Sequence, residues 1–154
     1  MSPSDVTLRD ATARDVPALL MLYEAAGLDH PGDNDRDAAV AHWTAQRKAG
    51  AHVLFAEAAD GRPLGTLTLF VLPLLAHRGA PSALVEDVAV HPSAQGQGIG
   101  RRLVHEAMDR AAAAGCYKLA LSSNERREAA HAFYDSLGFQ RHGFSFVVPL
   151  GGPR

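Results

Sequence analysis

The sequence predicts an α+β fold, a central mixed and mostly antiparallel sheet of six to seven strands flanked by about four helices. Three observations carry this prediction. The chain has 154 residues, nearly half of them hydrophobic, which suits a single domain spanning 1–154 with a real core. Apolar residues switch along the chain between short strand-like runs and helical spacing. The resulting order is roughly β-α-α-β-β-β-α-β-α-β-β, and mixed connections of this kind give one largely antiparallel sheet with helices on its faces.

The elements follow in order. "DVTLRDATARDVPALLMLYEAAG" reads as a short strand over 6–9 and then a helix. Thr12 and Asp15 form a loose capping signal, and Gly27 is the stop. "DRDAAVAHWTAQRKAG" is a second helix, stopped at Gly50. Two strands follow around the turn Asp60-Gly61-Arg62-Pro63. "SALVEDVAV" is a further strand, and a long helix over 98–114 places Ile99, Leu103, Ala107 and Ala111 on one face. "YKLALS" is a short strand of the buried type. "RREAAHAFYDSLG" is a helix with Ala129, Ala130, Phe133, Tyr134 and Leu137 on one face and Gly138 as its stop, and "FQRHGFSFVVPL" supplies one or two closing strands.

Composition excludes several classes. A net charge of −2 gives no basic footprint for nucleic acid. One cysteine, Cys116, allows no internal disulfide framework and favours a reducing compartment. No apolar run approaches the roughly 18 residues of a membrane helix, and "MSPSDVTLRD" lacks the apolar stretch of a signal peptide. A cytoplasmic protein without a membrane or nucleic-acid partner is expected. The eight histidines form neither an H-E-x-x-H motif nor a Cys/His cluster, so no metal is expected.

Between the "VEDVAV" strand and the long helix lies "HPSAQGQGIGRRL", with glycines at 96, 98 and 100. Glycines at a helix start let backbone N–H groups approach an anion, with phosphate the usual guest. A dinucleotide fingerprint needs glycine at 101, where Arg101 stands, and a P-loop needs Lys-Ser or Lys-Thr after its last glycine. Gln95-x-x-Gly98-x-Gly100 instead resembles the pyrophosphate loop of the GNAT superfamily of N-acetyltransferases. "VEDVAVHP" before the loop, and "GCYKLALSSN" and "AHAFYDSLGF" after it, resemble blocks of the same superfamily in the same order. The resemblance covers about residues 82–146.

The resemblance implies a sheet that splays open and a domain that takes acetyl-CoA as co-substrate. Amides of Gln95, Gly96, Gly98, Gly100 and Arg101, with Ile99 beside them, would hold the pyrophosphate. Backbone groups of Val88, Ala89 and Val90 would pair with the pantetheine, and Asn124 would contact its arm. Arg101 or Arg102 would either add phosphate charge or be ordinary solvated helix residues. Superfamily members are often dimers, which leaves a homodimer through the closing strands open.

Two carboxylates interrupt the otherwise apolar "ALVEDVAV". Alternation places Asp87 with Val85 and Ala89, and Glu86 with Val88 and Val90, one acid to each side. A buried carboxylate needs a partner, a proton or water. An amine acceptor arrives as an ammonium with a pKa near 10 and must lose a proton before attacking a thioester. GNAT enzymes often place an acid on this strand as that base; Glu86 is ranked first and Asp87 second, and structural hydrogen bonding is the competing role for both. Tyr134 matches the tyrosine that GNAT enzymes carry near the coenzyme A sulfur. A phenol near pKa 10 is a weak acid toward a thiolate near 8.5, so hydrogen bonding to the developing charge is its expected role, with core packing the alternative.

Other residues stay in ordinary roles. Cys116 has no evident histidine partner and reads as packing, as does Trp43 beside His42. His77 and His131 are minor substrate-site candidates. The acceptor is expected to be a small-molecule amine: "VEDVAV…QGQGIG…GCYK" resembles glucosamine-6-phosphate acetyltransferases, and the C-terminal blocks resemble aminoalkylphosphonate acetyltransferases. The competing readings are a non-catalytic acyl-CoA sensor and an acetyltransferase of protein or aminoacyl amines.

Overall fold

The structure, a computed structural model, describes residues 5–123 and 125–152. They group into two compact units, one through Ala120 and one from Leu121. The first holds a five-stranded sheet in the order β1-β2-β3-β4-β5: β1 Val6–Asp10, β2 His52–Ala58, β3 Pro63–Leu72, β4 Ser82–Val90 and β5 Leu119–Ala120. The first four strands are antiparallel neighbours, and β5 lies parallel to β4. Helices α1 (Val16–Ala25), α2 (Ala39–Lys48) and α3 (Ile99–Ala113) complete this unit. The second unit contributes α4 (Glu128–Ser136).

β3 is the centre of the sheet, and its residues from Leu64 to Leu69 are buried without interruption, as a strand covered on both faces requires. Its register assigns the faces. Thr66 and Thr68 stand opposite Phe55 and Val53, and Val53 and Phe55 join Ala11, Leu19 and Leu22 in one core cluster against which Tyr23 and Trp43 pack. The buried Thr66 hydroxyl donates to the Leu54 carbonyl at 2.7 Å. On the other face α3 presses on β3 so closely that a Cβ at Gly65 would stand 3.0 Å from the Ala89 carbonyl oxygen, 3.1 Å from Ile99 and 3.1 Å from Leu103. Gly65→Ala is therefore expected to destabilise the protein by about 1–3 kcal/mol, read as a lower midpoint in urea unfolding.

Local chemistry sets several boundaries. The Asp15 carboxylate accepts the Thr12 amide at 2.7 Å and binds Arg9 through two bonds of 2.7 and 2.8 Å. Arg9 holds its carboxyl below the ordinary carboxylate range. The capping pair thus opens a short 3-10 turn over Ala13–Asp15, with α1 starting directly after it. α2 begins at Ala39 instead of 35, because the Asp35 carboxylate accepts the amides of Asp37 and Ala38 and stabilises a turn in place of the first helical residues.

The main departure from the sequence expectation is the strand count, five instead of six to seven. "YKLALS" forms a ladder only at Leu119–Ala120, and no strand forms over 139–150 among the described residues. Phe144, Phe146, Val148 and Leu150 alternate like a strand, yet the first two and Leu150 are each more than 90% exposed. Alternation states which face could be buried, but a strand also needs a ladder partner for its backbone. Pro149 removes one donor as well.

Candidate active site

β4 departs from simple alternation where its acids lie. Thr68 stands opposite Glu86 and Thr66 opposite Ala89, so Asp87 and Val88 together face Leu67. This is a β-bulge, and Asp87 takes the left-handed conformation there with φ 52°. Cross-strand partners share a face, so Glu86 sits with Ala89, while Val85 and Val90, opposite Leu69 and Gly65, share the other. The expected grouping of Glu86 with Val88 and Val90, and of Asp87 with Val85 and Ala89, is therefore corrected: the extra residue resets the alternation. Both acids are exposed, which removes the need for a buried structural partner.

The surroundings of Asp87 still disfavour its charge. Desolvation pushes its carboxyl above the ordinary value, and Asp29 adds to the shift. Tyr23 on α1 responds to the same region: burial first, then Asp87, pushes its phenol up to about 12. Asp29 is held near Tyr23 because its amide donates to the Tyr23 carbonyl at 3.3 Å. Asn34 links the Asp29 and Glu24 carboxylates at 3.3 and 3.4 Å.

The edge of β4 is the second feature. β5 pairs with it only at Ala83 and Leu84, and the β5-side edge from Val85 to Val90 has no ladder partner among the described residues. Val88, Ala89 and Val90 thus lie on a strand segment flanked by β3 alone. Ala94 and Ile99 are buried on either side of the loop, whereas 95–98 are exposed.

In the loop, Gly96 and Gly98 have φ of 75° and 80°, and nothing lies within 4 Å of a Cβ placed on either. Backbone conformation, not crowding, selects glycine there. Gly98 caps α3 and has no side chain to bond its amides. The first intrahelical bond runs from the Arg102 amide to the Gly98 carbonyl at 3.0 Å, which leaves the Ile99 and Gly100 amides without an intrahelical acceptor. Such a terminus suits a phosphate group. Arg101 is exposed on the first turn. Arg102 instead reaches β1, donating to the Val6 carbonyl at 3.1 Å, and is a structural residue.

In the second unit, Tyr134 lies on α4 between Phe133 and Phe139, with ring centroids 5.2 and 5.6 Å away. Burial raises its phenol above the ordinary value. Gly138 ends the helix at φ 86°, and the Phe139 amide returns to the Tyr134 carbonyl at 3.1 Å, a Schellman closure. Asn124 lies outside the described residues, and its neighbour Ser123 has a buried hydroxyl without a hydrogen-bond partner among them.

His77 stacks on Tyr117 at 4.1 Å. Sequence reasoning missed Tyr23, Asp29 and Thr68; the only signal was the pair of threonines in the apolar run "LGTLTLFVL", which marks polar groups in need of partners. No group of metal-ligating side chains occurs among the described residues. None of the described helices is long and apolar enough to cross a membrane.

Comparison with known proteins identifies the family and the fold. A glucosamine 6-phosphate N-acetyltransferase of Trypanosoma brucei brucei is 34% identical over 98 residues, 63% of this chain and 65% of the relative. The chain thus spans just under two thirds of that relative, and 53% of a probable glucosamine 6-phosphate N-acetyltransferase 2 of Oryza sativa, at 34% identity over 59% of the chain. The crystal structure of a Trypanosoma brucei acetyltransferase superposes with a TM-score of 0.84 at 27% identity, covering 95% of this chain and all of that one. The family model described as the Acetyltransferase (GNAT) family matches residues 19–139, and the chain belongs to that family.

Proposed function

We propose that the protein is an acetyl-CoA-dependent N-acetyltransferase that passes acetyl directly to a primary amine of a small molecule within a ternary complex. The observation that carries this reading is one continuous piece of chain: a bulged strand with two acids and an unpaired edge, running into a glycine-cornered helix start. Backbone groups of Val88, Ala89 and Val90 would lie along a pantetheine arm. Amides of Gln95, Gly96, Gly98, Gly100 and Arg101, with Ile99 at the first turn, would meet the pyrophosphate, and Asn124 is assigned to the arm by resemblance. When bound, acetyl-CoA supplies the activated thioester.

The chain's own residues handle protons. Glu86 or Asp87 takes a proton from the acceptor ammonium and so exposes the lone pair that forms the new C–N bond. The sequence ranks Glu86 first. The left-handed bulge and the raised carboxyl favour Asp87, because a base whose pKa lies nearer the working pH transfers protons more effectively. The adduct nitrogen gives its second proton to solvent as the C–S bond breaks toward sulfur, and Tyr134 would donate a hydrogen bond to the departing thiolate.

Thiol release from acetyl-CoA across a panel of amines tests this reading. Acetyl-CoA binding with no turnover on any amine would replace the enzyme with a sensor. Gly98→Val is expected to weaken acetyl-CoA binding at least tenfold in calorimetric titration. A β-branched residue at φ 80° is strained by about 1–2 kcal/mol, and its side chain enters the space where phosphate must approach. Undiminished affinity in that variant would place the pyrophosphate elsewhere.

A further inference from the structure

The glycine loop opens with a clasp around Ser93. His91 is anchored through its amide, which donates to the Leu64 carbonyl of β3 at 2.8 Å. Pro92 follows, and a residue before proline is confined to extended backbone, which His91 adopts at φ −56° and ψ 136°. The Ser93 amide donates to His91 Nδ1 at 3.2 Å, and Ser93 Oγ lies 2.8 Å from the same nitrogen. A backbone N–H can only donate. Nδ1 therefore carries no proton, the hydroxyl donates to it as well, and Nε2 holds the ring hydrogen. On the other side, the Gln97 side-chain amide donates to the Ser93 carbonyl at 3.1 Å. Ser93 is thus held at both backbone polar groups, by one side chain before it and one after it.

These bonds divide the loop into a closed part and an open part. The Ala94 amide donates to the His91 carbonyl at 2.8 Å, and the Gln95 amide reaches the Pro92 carbonyl only at 3.4 Å. They close one 3-10 turn over Pro92–Ala94. The amides of Gly96, Gln97 and Gly98 have no backbone acceptor among the described residues, and those of Ile99 and Gly100 continue the run at the start of α3. His91 caps the closed turn and Gln97 belongs to the open run, so the clasp spans the boundary between them. We propose that His91 and Gln97 are positioning residues for the pyrophosphate of acetyl-CoA: by holding Ser93 they fix the turn from which the open amides extend, and so aim those amides before the ligand arrives. They acquire this role only with the acetyl-CoA reading, on which it rests, and neither touches a reacting atom. A loop ordered in advance has less freedom to lose on binding.

The test measures coenzyme A binding by calorimetry in wild type, His91→Leu, His91→Asn, Gln97→Met and the double variant His91→Leu/Gln97→Met. In parallel, kcat/KM is compared for acetyl-CoA and for S-acetylpantetheine, a donor without pyrophosphate. His91→Leu is expected to weaken coenzyme A about five- to tenfold, as loss of a cap implies. His91→Asn should recover affinity to within about twofold, because an asparagine side chain bonds the amide two residues on. Gln97→Met keeps the length of the side chain and removes its donor, and should cost about three- to fivefold. The double variant should cost less than the product of the two, since both side chains act through Ser93. With S-acetylpantetheine every variant should stay within about twofold of wild type, whereas general loss of packing would slow both donors alike. Equal coenzyme A affinity in wild type and His91→Leu, no recovery in His91→Asn, or equal losses with both donors overturns the inference. Failure of wild type to bind coenzyme A overturns it together with the acetyl-CoA reading. The expected binding pattern without turnover of any amine fails the enzymatic reading alone and upholds the clasp.

Discussion

Tyr134→Phe is expected to lower kcat about 10²-fold, the low end of what one positioned proton donor contributes, with acetyl-CoA affinity and thermal stability retained. The reason lies in the surroundings of the phenol. Its ring contacts are aromatic, and its oxygen has no hydrogen-bond partner in the protein among the described residues. Phenylalanine keeps the ring contacts and breaks no internal bond, so the midpoint of thermal unfolding should stay within a few degrees. Burial raises the phenol above its ordinary value, which keeps it a neutral donor throughout the physiological range. The same shift makes full proton transfer to a thiolate more uphill than in water, so hydrogen bonding to developing charge is the step that suffers. Unchanged turnover in the variant would remove Tyr134 from the chemistry and return it to packing.

The acids of the bulge should give the second large effect. Asp87→Asn is expected to lower kcat/KM about 10²-fold or more and to remove the acidic limb of its pH profile. In wild type that limb should lie above the ordinary carboxylate value near 3.9, because desolvation and Asp29 both hold the Asp87 proton on. Glu86→Gln should cost under tenfold and keep the limb. The reverse pattern would assign the base to Glu86. The same shift has a stability consequence of opposite sign. A carboxyl raised in the folded state binds protons more readily there than in the unfolded chain, so stability falls as pH rises from the unfolded value through the folded one. Asp87→Asn should therefore melt higher than wild type above that window and equal to it below. Asparagine tolerates the left-handed conformation as aspartate does, so backbone strain should not obscure the comparison. A lower melting temperature at neutral pH would show that Asp87 has a stabilising partner.

The local devices were legible in sequence because short-range chemistry builds them. The glycines at 96, 98 and 100 read as places where the backbone approaches an anion, and two of them, Gly96 and Gly98, adopt the positive φ that only glycine takes easily. The stop at Gly138, the Asp60-Gly61 turn and the buried face of α3 rest on the same kind of information. The closing strands failed for a complementary reason: alternation in "FSFVV" specifies a face but no partner. The pairing of Glu86 and Asp87 with their neighbours failed because a bulge belongs to two strands. Register against Thr66 and Thr68 cannot be read from β4 alone.

By itself, then, the sequence determined the order of elements through α4, the family, and the glycine-cornered helix start, since such a start is a property of consecutive residues. Only the tertiary structure decided the register that sets the faces of β4 and that α1 packs Tyr23 against the cluster containing Val53 and Phe55. Those relations depend on register and helix packing between segments roughly twenty to thirty residues apart in sequence, and no local period encodes them.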